Sequence, residues 1–329
     1  MYKFEGKSII IAAPNHYGLL QRFKENLEAM GFDTVVVPDD IPVNIGFKNK
    51  LIHILKKTFT KEKSFKREKK IEFRTQQQID LLNKKQVSQF DYALIIRPDL
   101  FSNDLISYLK SKSNILCGYQ WDGLDRFPAV YDKIDFFDRF FVFDKSDLSK
   151  NLNLLPITNF YFDDIESREN TVDVYFLGSY MKNRIDPLVN LSKKLSDLNL
   201  SLSINLSVKS SEKFEKFNSG MITLIDRPIS FKTNLINASQ SRIIIDFANG
   251  IHNGISMRAF ESIGFQKKLI TNNILIKECD FYNPNNIFVI ENDNLDGIDQ
   301  FIRNSYKKLD DEIYEKYSFT NWIKYVFNI

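Results

Sequence analysis

Residues 246–270 read Asp246-Phe-Ala-Asn-Gly-Ile-His-Asn-Gly-Ile-Ser-Met-Arg-Ala-Phe-Glu261-Ser-Ile-Gly264-Phe-Gln-Lys-Lys-Leu-Ile270. The pattern predicts the end of a strand, a loop broken by glycines, a short helix, a glycine stop and a further strand. The first N–H groups of a helix have no partner within it, so this loop would point them at whatever lies beyond the strand. The stretch therefore predicts an α/β fold with a ligand site at the carboxyl end of a strand.

The same alternation continues along the rest of the chain. Ser8-Ile-Ile-Ile-Ala-Ala is short and apolar, as in a buried parallel strand, and a helical stretch from Leu19 to Met30 follows it. Gly31 stands where a left-handed residue would end that helix. Strands that alternate with helices predict parallel sheets covered on both faces. Further strands are predicted at residues 34–37, 92–97, 114–119, 140–143, 172–177, 202–208, 242–246, 268–271 and 286–290.

The predicted fold class is α/β, with two Rossmann-like, doubly wound parallel-sheet domains that face a cleft. A length of 329 residues suffices for two domains of ordinary size. The polar, aperiodic segment 159–172 predicts the interdomain linker, so the expected domains are residues 1–160 and 161–315. Residues 316–329 are expected to form a C-terminal helix that packs back toward the N-terminal domain.

Composition narrows the class of protein. With 43% apolar and 14% aromatic residues the chain is globular rather than disordered, and the widely separated Cys117 and Cys279 argue against a disulfide scaffold. The first residues lack the apolar core of a signal peptide, and no run reaches the roughly 18 apolar residues of a spanning helix. The expected location is the cytoplasm, with peripheral attachment to the inner face of the plasma membrane.

The loop after the strand at 172–177 is a candidate phosphate site. Gly178, followed by Ser179, lets the backbone turn sharply against a ligand. Lys182 and Arg184 add cations next to the start of the following helix, where the helix dipole also favours an anion. A guanidinium suits a diphosphate because its planar fork binds two oxygens. The alternative is an ordinary strand-to-helix turn with solvated charges.

The loop after the strand at 242–246 is the second candidate. Gly254 permits a tight turn, and Ser256 begins the helix that carries Arg258 and Glu261. A carboxylate at Glu261 can accept two hydroxyl hydrogens from a ribose, and Arg258 can reach phosphate. His252 is a candidate contact for the donor sugar or phosphate. The alternative is an ordinary helix with an i, i+3 ion pair.

These residues carry a resemblance to a known family. The donor-site segment of GT-B fold glycosyltransferases is similar to Arg258-Ala-Phe-Glu-Ser-Ile-Gly-Phe-Gln-Lys-Lys-Leu-Ile-Thr-Asn-Asn. More narrowly, the chain resembles the bacterial lipopolysaccharide and capsule glycosyltransferases related to the CgeB-like family and to glycosyl transferases group 1. Further matching residues are Val174-Tyr-Phe-Leu-Gly-Ser, Asp280-Phe-Tyr-Asn-Pro-Asn-Asn-Ile and Trp121-Asp122. The resemblance, which covers the C-terminal half better than the N-terminal half, implies a nucleotide-sugar donor in the C-terminal domain and an acceptor in the N-terminal one.

One position departs from the pattern of the family. Many GT-B enzymes carry two glutamates separated by seven residues in this segment. Glu261 matches the later one, which the resemblance assigns to the nucleotide ribose, whereas Asn253 stands in place of the earlier one. The sugar contact of the first glutamate is therefore expected to be absent or replaced by an amide.

The leaving diphosphate must be stabilised during glycosyl transfer. A divalent metal on an Asp-x-Asp pair is one route, but no two aspartates in this sequence lie at i, i+2. We therefore expect metal-independent transfer, with no cofactor beyond the nucleotide-sugar co-substrate. Lys182, Arg184, Arg258 and backbone amides would neutralise the leaving group, and the resemblance favours UDP as the nucleotide.

His16 is the candidate general base. It follows the first strand on the ligand side, and an unperturbed histidine pKa of ~6.5 suits proton transfer at neutral pH. Inverting GT-B enzymes that use a histidine resemble this placement, with an aspartate from a later loop orienting the ring. Asp122 and Asp99 both end strands on that side. The alternative is a loop histidine that only packs or caps a helix.

A basic segment spans residues 47–74. Eleven Lys or Arg stand against three Glu between Lys48 and Arg74, a balance of +8 in a chain of net charge +3. Apolar residues from Phe47 to Phe59 fall on one helical face, so the segment can lie on an anionic membrane surface, which fits a lipid-linked glycan acceptor. The alternative is a solvated loop whose apolar stripe packs on its own domain. Nucleic acid is not an expected partner, because the aromatic and glycine pattern of RNA modules is missing.

These features predict a hexosyltransferase-type enzyme that moves a sugar from a nucleotide-sugar donor to a surface polysaccharide acceptor. Two other interpretations stay open. A sugar-nucleotide 2-epimerase of the same fold would need acid and base groups around the sugar and no acceptor groove. A non-catalytic surface or coat-assembly protein with a degenerate pocket is compatible with Asn253.

Overall fold

The computed structural model describes residues 4–59, 64–85, 87–150, 152–208, 220–248 and 254–329. The chain divides into two compact units, Met1–Phe143 with Asp147–Pro156 and Asp144–Ser146 with Ile157–Ile329. They are named here the N-terminal unit and the C-terminal unit. Each unit contains one parallel sheet of six strands.

The sheet of the N-terminal unit consists of β1 (Ser8–Ala13), β2 (Asp33–Pro38), β3 (Phe90–Ile96), β4 (Ser113–Gln120), β5 (Arg139–Val142) and β6 (Leu154–Pro156). The strands are parallel, in the order β2-β1-β3-β4-β5-β6. The helices between them are α1 (Leu19–Ala29), α2 (Gly46–Phe59), α3 (Phe65–Asn83) and α4 (Asn103–Lys112).

The apolar runs of the sequence explain these strands. The residues from Ile9 to Ala13 are all fully buried, as expected for a central strand with both faces covered. Leu20, Phe23 and Leu27 of α1 are buried at helical spacing and cover one of those faces. Gly31, just past α1, has φ 102°, so the prediction of a left-handed glycine there is confirmed.

The sheet of the C-terminal unit consists of β7 (Val172–Ser179), β8 (Leu202–Ser207), β9 (Ile222–Ile225), β10 (Ser241–Asp246), β11 (Lys268–Thr271) and β12 (Ile287–Val289). These strands are also parallel, in the order β12-β11-β10-β7-β8-β9. The helices are α5 (Lys182–Asp197), α6 (Phe231–Ser239), α7 (Met257–Gly264), α8 (Ile298–Arg303), α9 (Asp311–Lys316) and α10 (Phe319–Phe327).

Each sheet has one place where the strand order reverses. In the N-terminal unit β1 lies between β2 and β3, and in the C-terminal unit β7 lies between β8 and β10. In doubly wound sheets, ligands bind in the crevice beyond the carboxyl ends of the strands at such a reversal. The fold therefore directs attention to the loops after β1 and β3 and to those after β7 and β10.

The segment predicted as a linker is partly a core segment of the C-terminal unit. Phe160, Tyr161 and Phe162 are buried, although residues 159–171 contain no helix and only an isolated bridge at Tyr161. The Phe160 ring lies 4.7 Å from the Trp322 ring of α10, and Trp322 Nε1 donates to the Thr158 carbonyl at 2.9 Å. These contacts belong to the C-terminal unit. The packing of residues 316–329 toward the N-terminal domain stays a prediction.

Candidate functional site

The candidate site lies at the carboxyl edge of the C-terminal sheet. There β7 and β10 run side by side, β7 ending in Gly178 and Ser179 and β10 ending in Asp246. Helix α5 begins at Lys182, a few residues after β7, and α7 is the first helix after β10. Because the strand order reverses between β7 and β10, this edge is the ligand position that the topology favours.

Arg258, in the first turn of α7, joins the two strand ends. Its Nη2 donates to the Leu177 carbonyl at 2.5 Å, and its Nη1 lies 3.3 Å from Asp246 Oδ1. Its guanidinium also lies 5.6 Å from the centre of the Phe176 ring. The Asp246 side chain is 3% exposed and that of Arg258 is 29% exposed, so a buried carboxylate holds a cation that still reaches solvent.

Arg184 supplies a second guanidinium from the first turn of α5. A Cβ atom at Gly178 would lie 3.3 Å from Arg184 Nη1 and 2.7 Å from Phe176 Cζ, so glycine is needed for this approach. Burial lowers the pKa of Arg184, the neighbouring Arg258 lowers it further, and Asp246 opposes both effects. Among the described residues, no group forms a hydrogen bond with Arg184 Nε, which is buried. Two guanidinium groups therefore share the charge of Asp246, which leaves the site net positive.

Glu261 lies one turn after Arg258 and is 2% exposed. Burial raises the pKa of its carboxyl to about 7, against the opposing effect of Arg258. The ion pair of Arg258 is formed with Asp246 on the neighbouring strand, not with Glu261 along the helix as the alternative interpretation proposed. Glu261 is therefore a buried carboxyl that exchanges its proton near neutral pH.

The start of α7 has no side-chain cap. Ser256 occupies the capping position with φ −65° and ψ 158°, but its Oγ makes no capping bond and, within the described part of the chain, is buried without a partner. Asn159 Nδ2 donates to the Ile255 carbonyl at 2.9 Å, and Asn273 Nδ2 donates to the Gly254 carbonyl at 2.8 Å. Two asparagines thus fix the chain before the helix, while the N–H groups of its first turn are not occupied by the serine.

The end of α7 differs from the predicted glycine stop. The helix does end at Gly264, but the left-handed residue that follows is Gln266, with φ 52°. A Cβ atom at Gly264 would lie 2.5 Å from the Tyr161 ring. Close packing against Tyr161, rather than backbone conformation, therefore explains the glycine.

The remaining donor-site candidates divide into two groups. Ser179 and Lys182 are exposed at the same edge. His252 and Asn253 lie outside the described residues, so their contacts stay predictions. Among the described residues, no three or more His, Cys, Asp or Glu side chains form a group that could hold a metal ion.

The carboxyl edge of the N-terminal sheet carries a different arrangement. Arg97 directly follows β3 in the left-handed region, with φ 60°. Its Nε and Nη2 each donate to Asp99 at 2.7 Å, and its Nη1 donates to Asp122 at 2.5 Å. Arg126 donates to the second oxygen of Asp122 at 3.1 Å, and the Phe127 ring lies 3.9 Å from the Arg97 guanidinium. Both predicted aspartates therefore hold Arg97.

His16 lies in a 3₁₀ turn after β1, the strand next to β3, and it is exposed. The next residue, Tyr17, has φ 52° and is 60% exposed. The role of His16 as a base oriented by Asp99 or Asp122 stays a prediction.

Sequence reasoning did not name Arg97 and Asp246 as site residues, although both stand at strand ends beside a reversal. The available signal was a charged residue at the end of a buried apolar run. Which partner each residue has depends on the sheet register, which the local sequence does not encode.

Comparisons with known proteins bear on the fold. No protein-family model matches the chain, and no curated protein matches it. The crystal structure of a glycosyltransferase from Rickettsia africae ESF-5 is similar, with a TM-score of 0.52 and 12% sequence identity over 98% of this chain and 97% of that chain. At this identity the likeness concerns the fold. The predicted fold class, two Rossmann-like parallel-sheet domains as in a GT-B glycosyltransferase, is confirmed.

Proposed function

We propose that the protein is a glycosyltransferase whose nucleoside diphosphate sugar binds at the carboxyl edge of the C-terminal sheet. The observation that carries the proposal is the pair of guanidinium groups, Arg184 and Arg258, around the buried carboxylate of Asp246. Two neighbouring guanidinium groups beside an uncapped helix start suit a diphosphate well. The likeness of the fold to a glycosyltransferase supports the same reaction class.

In the proposed reaction, Arg184 and Arg258 neutralise the charge that develops on the diphosphate as the bond to the sugar breaks. Glu261, when ionised, accepts hydroxyl hydrogens from the ribose. His16 takes the proton of the acceptor hydroxyl. Because protein cations stabilise the leaving group, the proposed transfer needs no metal, and UDP is the favoured nucleotide.

Titration calorimetry with a panel of nucleoside diphosphates tests this proposal. In buffer with a metal chelator, wild-type protein is expected to bind UDP, and Arg258→Gln is expected to lower the affinity about 10- to 100-fold, as for the loss of a charge-assisted hydrogen bond. The matched control is Lys193→Gln, an exposed cation of α5 about 13 Å along the helix from Arg184. A folded wild-type protein that binds none of the diphosphates would refute the proposal.

Product analysis separates transfer from the other reaction of the same fold. Incubation with a nucleotide sugar and no acceptor is expected to leave its sugar configuration unchanged. A product with inverted configuration at carbon 2 would favour the 2-epimerase. Binding of nucleotides without turnover in the presence of lipid-linked acceptors would favour the non-catalytic assembly protein.

We further propose that the acceptor is a lipid-linked surface glycan and that α2 and α3 hold the protein on an anionic membrane. Phe47, Leu51 and Leu55 lie four residues apart on α2 and are 80%, 48% and 48% exposed. Ile71 and Phe73 of α3 are also exposed. These exposures favour membrane contact over packing of the stripe on its own domain.

Attachment of this kind does not require a spanning segment. No helix within the described residues combines the length and apolar character needed to cross a bilayer. Vesicle flotation is the test: wild-type protein is expected to float with anionic vesicles and not with neutral ones, and Phe47→Ser with Leu51→Ser is expected to abolish flotation. Flotation that the double variant leaves unchanged would contradict this role of α2.

A further inference from the structure

A polar cavity lies at the amino edge of the C-terminal sheet, opposite the proposed donor site. Its volume is about 350 Å³, and it is bordered by the amino ends of β10 and β11 and by the residues that follow α8. Four cations line it: Arg242, Lys267, Lys268 and Arg303. The other lining residues carry amide or hydroxyl groups, among them Asn304 and Tyr306, and the lining contains no carboxylate.

Lys267 and Lys268 are buried, and no carboxylate of the described segments forms an ion pair with either of them. Lys267 and Lys268 are 7% and 3% exposed. Lys267 Nζ donates to the Arg168 carbonyl at 3.0 Å and to Asn170 Oδ1 at 2.7 Å, and Lys268 Nζ donates to the Phe301 carbonyl. Buried ammonium groups are usually paired with carboxylates, whereas these partners are neutral. Consistently, burial lowers the pKa of both lysines, that of Lys268 to about 8 with a contribution from Arg242.

Helix capping explains part of this arrangement. Arg242 donates to the Ile302 carbonyl and Lys268 to the Phe301 carbonyl, both in the last turn of α8, where cations complement the helix dipole. Capping uses one hydrogen-bond donor of each side chain, and neither Lys267 nor Arg303 contributes to it. Donors and positive charge therefore remain at the cavity.

The nearby carboxylates do not balance this charge. Asp173 lies 3.9 Å from Arg242 Nη1, beyond hydrogen-bond distance, and Asp299 pairs with Arg303, whose side chain is 70% exposed. Two carboxylates outside the cavity thus face four cations that line it. The local excess of positive charge calls for an anion.

We propose that this cavity binds a phosphomonoester of a small polyhydroxylated molecule, such as a hexose phosphate. Guanidinium and ammonium groups recognise the phosphate, and the amide and hydroxyl side chains match sugar hydroxyls. The volume lies at the lower end of the range of about 300–1,000 Å³ for small-molecule pockets, which suits a single sugar ring rather than a nucleotide sugar.

The cavity is separate from the proposed donor site. Arg242 and Asp246 lie on the same strand, four residues apart, which places the two ends about 13 Å from each other. A ligand at the amino edge therefore does not occupy the position assigned to the diphosphate. Either proposal can fail without the other.

Titration calorimetry with glucose 6-phosphate, inorganic phosphate and glucose tests the inference. Glucose 6-phosphate is expected to bind more tightly than inorganic phosphate, and glucose is expected not to bind. Arg242→Gln and Arg303→Gln are each expected to weaken binding about tenfold. Arg303→Gln keeps the experiment interpretable, because this exposed side chain contributes little to folding. Arg184→Gln and Lys193→Gln are the controls and are expected to leave the affinity unchanged.

Vesicles that carry a phosphorylated inositol headgroup form a second arm, because a lipid can present the same chemistry. Binding of soluble glucose 6-phosphate supports the proposal with a soluble ligand. The vesicles are tested with the Phe47→Ser/Leu51→Ser variant, whose attachment through α2 is expected to be abolished. Vesicle binding that remains in this variant and is lost when Arg242→Gln is added supports the proposal with a headgroup. The proposal would be overturned if glucose 6-phosphate, inorganic phosphate and the vesicles all fail to bind at phosphate concentrations on the order of 1 mM. Equal affinities of wild type, Arg242→Gln and Arg303→Gln would also overturn it, as would a loss of binding in Arg184→Gln.

Discussion

The carboxyl edges of the two sheets each contain a reversal of strand order, but they differ in their electrostatics. In the N-terminal unit one guanidinium, Arg97, is held by two carboxylates, Asp99 and Asp122. In the C-terminal unit two guanidinium groups, Arg184 and Arg258, share Asp246. Together with Arg126, which also donates to Asp122, the first arrangement has two cations and two carboxylates and is neutral, whereas Arg184, Arg258 and Asp246 together keep a positive charge. A strand reversal therefore provides a position for a site, and the ratio of cations to carboxylates decides whether the site binds an anion.

The largest expected effect is on the free energy of unfolding and concerns Arg97 of the N-terminal unit. Arg97→Gln leaves Asp99 and Asp122 buried without their shared partner, so it should lower the free energy of unfolding by about 3–5 kcal/mol. Denaturant titration measures the change. The control is Arg126→Gln, which also removes a partner of Asp122 but whose side chain is 40% exposed, and it should cost less than about 1 kcal/mol. Equal costs for the two variants would contradict the assignment of Arg97 as the buried partner that Asp99 and Asp122 share.

A second prediction concerns the buried carboxyl of the C-terminal unit. Glu261 has a pKa of about 7 in the folded protein against 4.5 for an unperturbed glutamate, so the folded state binds more protons between these values. Its contribution to stability is fully present below about pH 4.5 and is lost as the pH rises to about 7. Relative to wild type, Glu261→Gln should therefore gain up to about 3 kcal/mol in the free energy of unfolding between about pH 5 and pH 8.

Denaturant titrations across this pH range measure the effect of Glu261→Gln. The matched control is Glu312→Gln, which replaces an exposed glutamate of α9 and should follow the wild-type curve at every pH. A Glu261→Gln curve parallel to wild type would show that Glu261 does not titrate in this range in the folded protein.

A third prediction contrasts Arg184 with Arg97. Because Arg184 is partly buried beside another guanidinium, Arg184→Gln should leave the ligand-free protein as stable as wild type or raise its free energy of unfolding by about 1 kcal/mol. The same variant should weaken binding of a nucleoside diphosphate about tenfold. Unfolding and calorimetry on one preparation provide both values. If Arg184→Gln lowers the stability and leaves the affinity unchanged, Arg184 has a structural role and does not bind the ligand.

The smallest effect concerns the helix starts of the two units. Ser102 Oγ accepts from Leu105 N–H at 3.2 Å at the start of α4, whereas Ser256 Oγ at the start of α7 makes no such bond. In the ligand-free protein, Ser102→Ala should cost about 1 kcal/mol and Ser256→Ala nearly nothing. Thermal or denaturant unfolding resolves the difference. A cost for Ser256→Ala as large as for Ser102→Ala would indicate that this serine caps its helix after all.

Local pattern predicted the fold well because strands and helices leave local signals. The buried residues of β1 are a continuous apolar run, and Gly31 follows a helical period at the place where a left-handed residue is needed. The start of α5 was less clear: the sequence placed Lys182 and Arg184 next to the start of the helix, and in the structure both lie within it, because α5 begins at Lys182. Arg184 therefore lies in the first turn of α5, beside the proposed phosphate site.

The position of the candidate site could be predicted from the sequence, but the hydrogen-bond and ion-pair partners of its residues could not. The predicted strand ends placed Asp99, Asp122, Gly178 and the helix that carries Arg258 at the carboxyl edges of the sheets. This placement could be predicted because the alternation of strands and helices indicates the topology. The partners of these residues come from distant parts of the chain, as when Arg258 contacts the Leu177 carbonyl. Contacts of this kind depend on sheet register and side-chain packing, which no local pattern specifies.

The contact between Gly264 and the Tyr161 ring has a consequence for the proposed donor site at the carboxyl edge of the C-terminal sheet. The end of α7 packs directly against this ring, with no side chain between them. Arg258 lies on the same short helix, about 9 Å along its axis from Gly264. A change in the packing of Gly264 against Tyr161 is therefore expected to displace the Arg258 guanidinium as well. We therefore expect residues 161 and 264 to influence the proposed phosphate site from a distance, and enlarging one of them requires that the other become smaller.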